Sequence, residues 1–68
     1  MAIVVHLDAV LAKRGMRSKT LAEIVDITEA NLSLLKSGKV KGVRFSTLEK
    51  ICAALDCQPG ELLEYRPG

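Results

Sequence analysis

At 68 residues, with no Trp, one Phe and one Tyr, the chain has the length of a single small domain, and its core must be aliphatic. A net charge of +2 is too modest to imply nucleic acid by itself. Two cysteines five residues apart and one histidine exclude the usual four-ligand zinc arrangements, and no apolar run approaches the ~20 residues a bilayer crossing needs.

Ala2-Ile3-Val4-Val5 is β-branched and apolar, a strand or an extended arm. Met1 to Val5 is too short and lacks the basic leader of a signal peptide, so the expected compartment is the cytoplasm. Leu7 to Arg14 reads as a helix with Leu7, Val10 and Leu11 at helical spacing. Asp8 suits its start and Lys13 and Arg14 its end, and Gly15 stops it. A second helix is expected from Ser18 to Val25, burying Leu21, Ile24 and Val25, with Ala22 small where a neighbouring helix approaches. Asp26 then occupies a tight turn, with mild strain if the backbone there is left-handed.

Thr28 can cap a third helix from about Glu29 to Lys36, with Leu32 and Leu35, and Ile27 from the turn, in the core and Gly38 at its end. Two helices joined by so short a turn cross steeply, and the second presents a face to solvent that fits the DNA major groove. On a helical wheel the outward side of this helix holds Ala30, Ser33, Leu34 and Ser37, with Asn31 and Lys36 on its flanks. Only Asn31 has the bidentate amide that strong base readout uses; Leu34 and Ala30 suit thymine methyls. Leu34 packing on a loop or a partner chain is the competing reading.

From Lys36 to Leu48 the chain carries Lys36, Lys39, Lys41 and Arg44 and no acid. A charge run of this kind is usually a solvated loop. Directly after a groove-reading helix it would meet flanking phosphates, which supply affinity and register rather than sequence. Lys39 to Phe45 is expected as a loop with Val43 and Phe45 tucked inward. Ser46-Thr47-Leu48-Glu49 has the form of a capping box, and Leu48, Ile51, Cys52 and Leu55 follow helical spacing. Cys52 on that face suggests a buried thiol; a disulfide to Cys57 is an open but poorly motivated alternative, since nothing suggests secretion. Asp56 to Gly60 breaks this helix, and Pro59 can open a short fifth one to Leu63. Leu62, Leu63 and Tyr65 are expected to return to the core and Arg66-Pro67-Gly68 to fray. The N-terminal strand could pair with Leu62 to Tyr65 or with its counterpart in a second subunit.

Leu21-Ala22, Ile27-Thr28, Leu32-Ser33, Leu35, Ser37-Gly38 and Ser46-Thr47-Leu48…Ile51…Ala54-Leu55 together resemble the lambda-repressor/Cro-like (XRE) helix-turn-helix family. Arg44 to Leu48 and Ala54 to Tyr65 are similar to its small stand-alone, YozG-like branch. The resemblance covers nearly the whole chain. It implies an all-α, five-helix DNA-binding domain over residues 1–68, with room for a small terminal β element. Two positions depart from the family pattern: Asp26 stands where Gly is frequent in the turn, and Ser18 where Gln often opens the second helix, aimed at a phosphate. Ser18 donates one hydrogen bond and reaches less far.

The expected interface therefore has Thr28, Ala30, Asn31, Ser33 and Leu34 at the bases and Ser18, Lys36, Lys39, Lys41 and Arg44 at the phosphates. The implied function is a sequence-specific transcriptional regulator, a repressor, acting on double-stranded DNA as a homodimer that supplements a small core. The alternatives are an antitoxin that represses its own promoter, and a protein-interaction adaptor that has lost DNA binding. No catalytic residue, cofactor, metal or small-molecule substrate is expected: His6 stands alone, Ser18, Ser33, Ser37 and Ser46 lack a nucleophile-elbow setting, and there is no glycine-rich phosphate loop.

Overall fold

The computed structural model describes residues 2–67. In chain order these form β1 (Ala2–Val5), α1 (Leu7–Arg14), α2 (Ser18–Val25), α3 (Glu29–Ser37), α4 (Phe45–Leu55), α5 (Pro59–Leu62) and β2 (Leu63–Arg66). The fold is thus five helices with one small sheet. The expected bounds of the first two helices hold. The third runs one residue further than expected, to Ser37, and the fifth stops at Leu62 because Leu63 leaves it in extended conformation to begin β2.

The first four helices end alike. Gly15, Asp26, Gly38 and Asp56 are left-handed. The residue after each returns its N–H to the carbonyl five residues back: Met16 to Leu11, Ile27 to Ala22, Lys39 to Leu34 and Cys57 to Cys52. These are Schellman closures, which also bring the side chains of those paired positions together. Asp26 at φ 63° is the strained turn expected from the sequence. At Gly38 a side chain would sit 4.0 Å from Val5, so the end of α3 rests beside the β ribbon.

The core is aliphatic. Leu7, Val10 and Leu11 of α1, Leu21, Ala22 and Val25 of α2, Leu32 and Leu35 of α3, and Ile51 and Leu55 of α4 are buried with Cys57 and Leu62. Val5, Ile27, Val43, Leu48, Cys52 and Leu63 pack around them. Ile24 is not in this core: it is 53% exposed. The stripe of α2 is centred between Ala22 and Leu21-Val25, and at about 100° per residue Ile24 lies roughly a quarter-turn away. Cys57, not Cys52, is the buried thiol; Cys52 is half-buried and both are free.

Phe45 is 82% exposed instead of tucked inward. It is the first residue of α4, one turn ahead of Leu48, and extends the apolar stripe past the edge of the bundle. That start also displaces the expected capping box: Arg44, with no side-chain cap, precedes the helix in place of Ser46. A reciprocal cap occurs later, where the Gln58 N–H donates to the Glu61 carboxylate at 2.8 Å.

β1 pairs antiparallel with β2 of the same chain, Ala2 opposite Arg66, Ile3 opposite Tyr65, Val4 opposite Glu64 and Val5 opposite Leu63. Of the two expected pairings of the arm, the intrachain one is formed. Arg66 is a strand residue here, not a frayed one; Gly68 and Met1 lie outside the described residues. Ile3, Val5, Leu63 and Tyr65 share one face of the ribbon. Val5 and Leu63 reach the core, whereas Ile3 and Tyr65 extend beyond it and are 60% and 57% exposed, so Tyr65 does not return to the core. The opposite face carries Glu64, which receives His6 Nε2 at 2.6 Å and Arg66 Nε at 3.1 Å.

Arg14 ties the first helix to the fourth. Its Nε donates to the Leu55 carbonyl at 2.7 Å and its Nη2 to the Asp56 carbonyl at 2.9 Å. The basic end of α1 thereby satisfies carbonyls that α4 leaves open at its own end.

Candidate nucleic-acid interface

The turn Asp26-Ile27-Thr28 delivers α3 to the surface. Ile27 packs on the core, and Thr28, in extended conformation, accepts the Asn31 N–H at 3.1 Å on its Oγ1. This cap fixes the first turn of α3 and leaves the Thr28 hydroxyl hydrogen free to donate outward. Leu32 and Leu35 anchor the buried side. Thr28, Ala30, Asn31, Ser33, Leu34 and Ser37 are all exposed. Ser37 is committed, its hydroxyl donating to the Leu34 carbonyl at 2.9 Å. The side chains of Asn31 and Ser33 make no hydrogen bond among the described residues.

Apart from Glu29, exposed in the first turn and one turn ahead of Ser33, this face carries no charge. Asn31 stands to one side, sharing an open cleft of about 390 Å³ with Val40, Gly42, Arg44 and Thr47. The flank position expected for Asn31 is therefore a position beside the basic loop. Leu34, 47% exposed, is the apolar centre of the face.

Cations border it on two sides. On one, Lys39, Lys41 and Arg44 are exposed and form no ion pair among the described residues. On the other is the start of α2, where Lys36 is built into the fold. Its Nζ donates to Ser18 Oγ at 2.8 Å and lies 3.1 Å from the Asp8 carboxylate. Lys36 is half-buried while Asp8 is 72% exposed. The two residues assigned to phosphates from opposite ends of the motif thus touch each other, and Lys36, having donated to Ser18, leaves the Ser18 O–H free to point outward. Arg17 and Lys19, both exposed, flank Ser18. Neither is among the phosphate contacts expected from the sequence, although the signal is local: two cations adjoin the residue that opens α2.

No group of three or more His, Cys, Asp or Glu side chains that could hold a metal ion occurs among the described residues. No described helix is long and apolar enough to cross a membrane.

Two comparisons bear on this surface. The Cro/C1-type HTH DNA-binding domain family matches residues 6–68. The chain is also 61% identical, over 66 residues, to the uncharacterized HTH-type transcriptional regulator YozG of Bacillus subtilis (strain 168), an alignment covering 97% of this chain and 79% of that relative.

Proposed function

This chain belongs to the Cro/C1-type helix-turn-helix DNA-binding domain family, and from that premise we propose that it is a transcriptional repressor that reads the major groove with α3. The observation that carries the reading is the solvent-facing side of α3, whose one charge is the Glu29 carboxylate, bordered at both ends of the motif by exposed cations that form no ion pair among the described residues. In this arrangement Thr28, Ala30, Asn31, Ser33 and Leu34 meet base edges, and Ser18, Lys39, Lys41 and Arg44 meet phosphates. Lys36 acts through the Ser18 hydroxyl it holds, and Arg17 and Lys19 join the phosphate set. Residues 1–68 work as one DNA-binding unit in the cytoplasm, without catalysis, and occupancy of a promoter is sufficient for repression.

One recognition helix offers little contact area, so the unit binds as a homodimer, with two α3 helices about 34 Å apart on successive turns of the groove. Ile3 and Tyr65, exposed at the outer end of the ribbon, supply apolar surface for the subunit contact.

The test is duplex binding across a salt series, with the parent and Lys39→Ala/Lys41→Ala. The parent should lose affinity with a log–log slope of roughly −0.9 per phosphate neutralised. The double variant should bind every sequence more weakly and with a flatter slope. Equal binding by both proteins would remove the loop from the interface. Absence of duplex binding by the parent at low salt would favour the adaptor reading.

A further inference from the structure

Of the four Schellman closures, the one ending α4 has cysteines at both of the positions the motif brings together. The Cys57 N–H bonds to the Cys52 carbonyl at 3.1 Å across the left-handed Asp56. At the equivalent positions the other helices pair Leu11 with Met16, Ala22 with Ile27 and Leu34 with Lys39. Two of those three pairs are ordinary apolar side chains and none holds a thiol, so a reactive pair here is an added feature. Both thiols are free, and both line an open groove with Phe45, Leu48, Glu49, Gln58 and Pro59. An oxidant arriving from solvent has a path to them.

From the backbone bond that clamps these positions and the shared open groove, we infer that Cys52 and Cys57 form a modification site, a dithiol that hydrogen peroxide closes to an intramolecular disulfide. Cys52 is the attacking sulfur because it is half-buried, whereas Cys57 is 8% exposed. Burial first, and then the neighbouring Cys52, push the Cys57 thiol above its ordinary value, which keeps Cys57 protonated and slow as a first nucleophile. The Cys52 thiolate attacks one peroxide oxygen. The S–O bond forms, the O–O bond breaks, and the departing hydroxide becomes water with the proton that Cys52 gave up on ionising. Cys57 then attacks the sulfur of the resulting sulfenic acid. The S–S bond forms, the S–O bond breaks, and the leaving hydroxide takes the Cys57 proton as a second water. The two sulfurs together lose two electrons and the peroxide is reduced to two waters. The second step is intramolecular between positions the helix end already holds together, so it outruns further oxidation of Cys52.

Graded hydrogen peroxide applied to the full chain, followed by alkylation and intact mass measurement, tests this. The expected product has lost both thiols together, is lighter by two hydrogens, is monomeric without reductant and returns to the starting mass with dithiothreitol. Cys57→Ala should instead accumulate Cys52 as its sulfenic and sulfinic acids. Cys52→Ala should react many-fold more slowly than the parent. The wild-type product is read directly, so the inference does not depend on either variant folding. Oxidation of a single thiol, disulfides only between chains, or thiols that remain alkylatable at peroxide concentrations that oxidise a free thiol in solution would each overturn it.

Discussion

Lys36 and Asp8 form an ion pair of 3.1 Å that joins the end of α3 to the start of α1, and Asp8 is the exposed member. Phosphates approaching Ser18 would meet a carboxylate as well as an ammonium. Asp8→Asn should therefore tighten duplex binding a few-fold at low salt, with the gain shrinking at high salt because the charge is exposed. Folding stability should move by no more than about 1 kcal/mol. Duplex titration at two salt concentrations measures it. Unchanged or weaker binding in Asp8→Asn would place the phosphates away from α2.

Base preference should respond to the two uncommitted polar side chains of α3. Asn31→Ala and Ser33→Ala, made singly, should each change the sites enriched from random duplex, a good base contact being worth about 1–3 kcal/mol. Affinity for nonspecific duplex should hold. Enriched sites identical to those of the parent would exclude both residues from readout.

The exposed end of the ribbon predicts the subunit contact. Ile3→Ser with Tyr65→Ser should shift sedimentation of a dimer toward monomer while leaving helix content in place, since neither side chain belongs to the core. Deleting residues 1–5 is the harsher change. It would unpair β2 and uncover Leu63, and should lower the melting temperature as well. A parent that sediments as a monomer at high concentration, with and without DNA, would sink the dimer.

Removal of the Arg14 side chain should destabilise the fold even though Arg14 is exposed. Two charge-assisted hydrogen bonds to the Leu55 and Asp56 carbonyls would be lost. The expected loss is about 1–3 kcal/mol, visible as a lower denaturant midpoint with little change in slope. Lys at this position should recover only part of it, because an ammonium lacks the forked guanidinium geometry.

Stability should fall at both extremes of pH. Hydrogen bonding from Arg66, and secondly from His6, holds the Glu64 carboxyl below its ordinary 4.5. A lowered carboxyl stabilises the fold above that ordinary value, and the contribution disappears as pH drops through the folded one. Burial raises the Cys57 thiol above its ordinary 9.0. Its contribution is present below 9.0 and disappears as pH rises through the folded value. Glu64→Gln should flatten the acid limb of a melting-temperature profile under reducing conditions, and Cys57→Ala the alkaline limb. Limbs unchanged in the variants would assign them to other groups.

The helices were legible from the sequence because their signals are local. Gly15 and Gly38 stop α1 and α3, Thr28 caps α3, and the spacings of Leu7, Val10 and Leu11 and of Leu32 and Leu35 mark faces that the fold buries. Those faces in turn placed the outward side of α3, so most of the candidate reading surface could be named before its geometry was known. The margins of the stripes could not. Whether Ile24 or Ala22 is covered, and whether Phe45 tucks in, depends on where a neighbouring element ends, and periodicity carries no record of that. Nor could partners far apart in sequence be read: Arg14 with Leu55 41 residues on, and His6 with Glu64 58 residues on. The sequence by itself determined where the chain turns and which way each helix faces, because backbone sterics and capping act over a few residues. Only the tertiary structure decided that β1 pairs with β2, that Lys36 reaches Asp8 and Ser18, and that two thiols share one groove, because packing in space selects those neighbours.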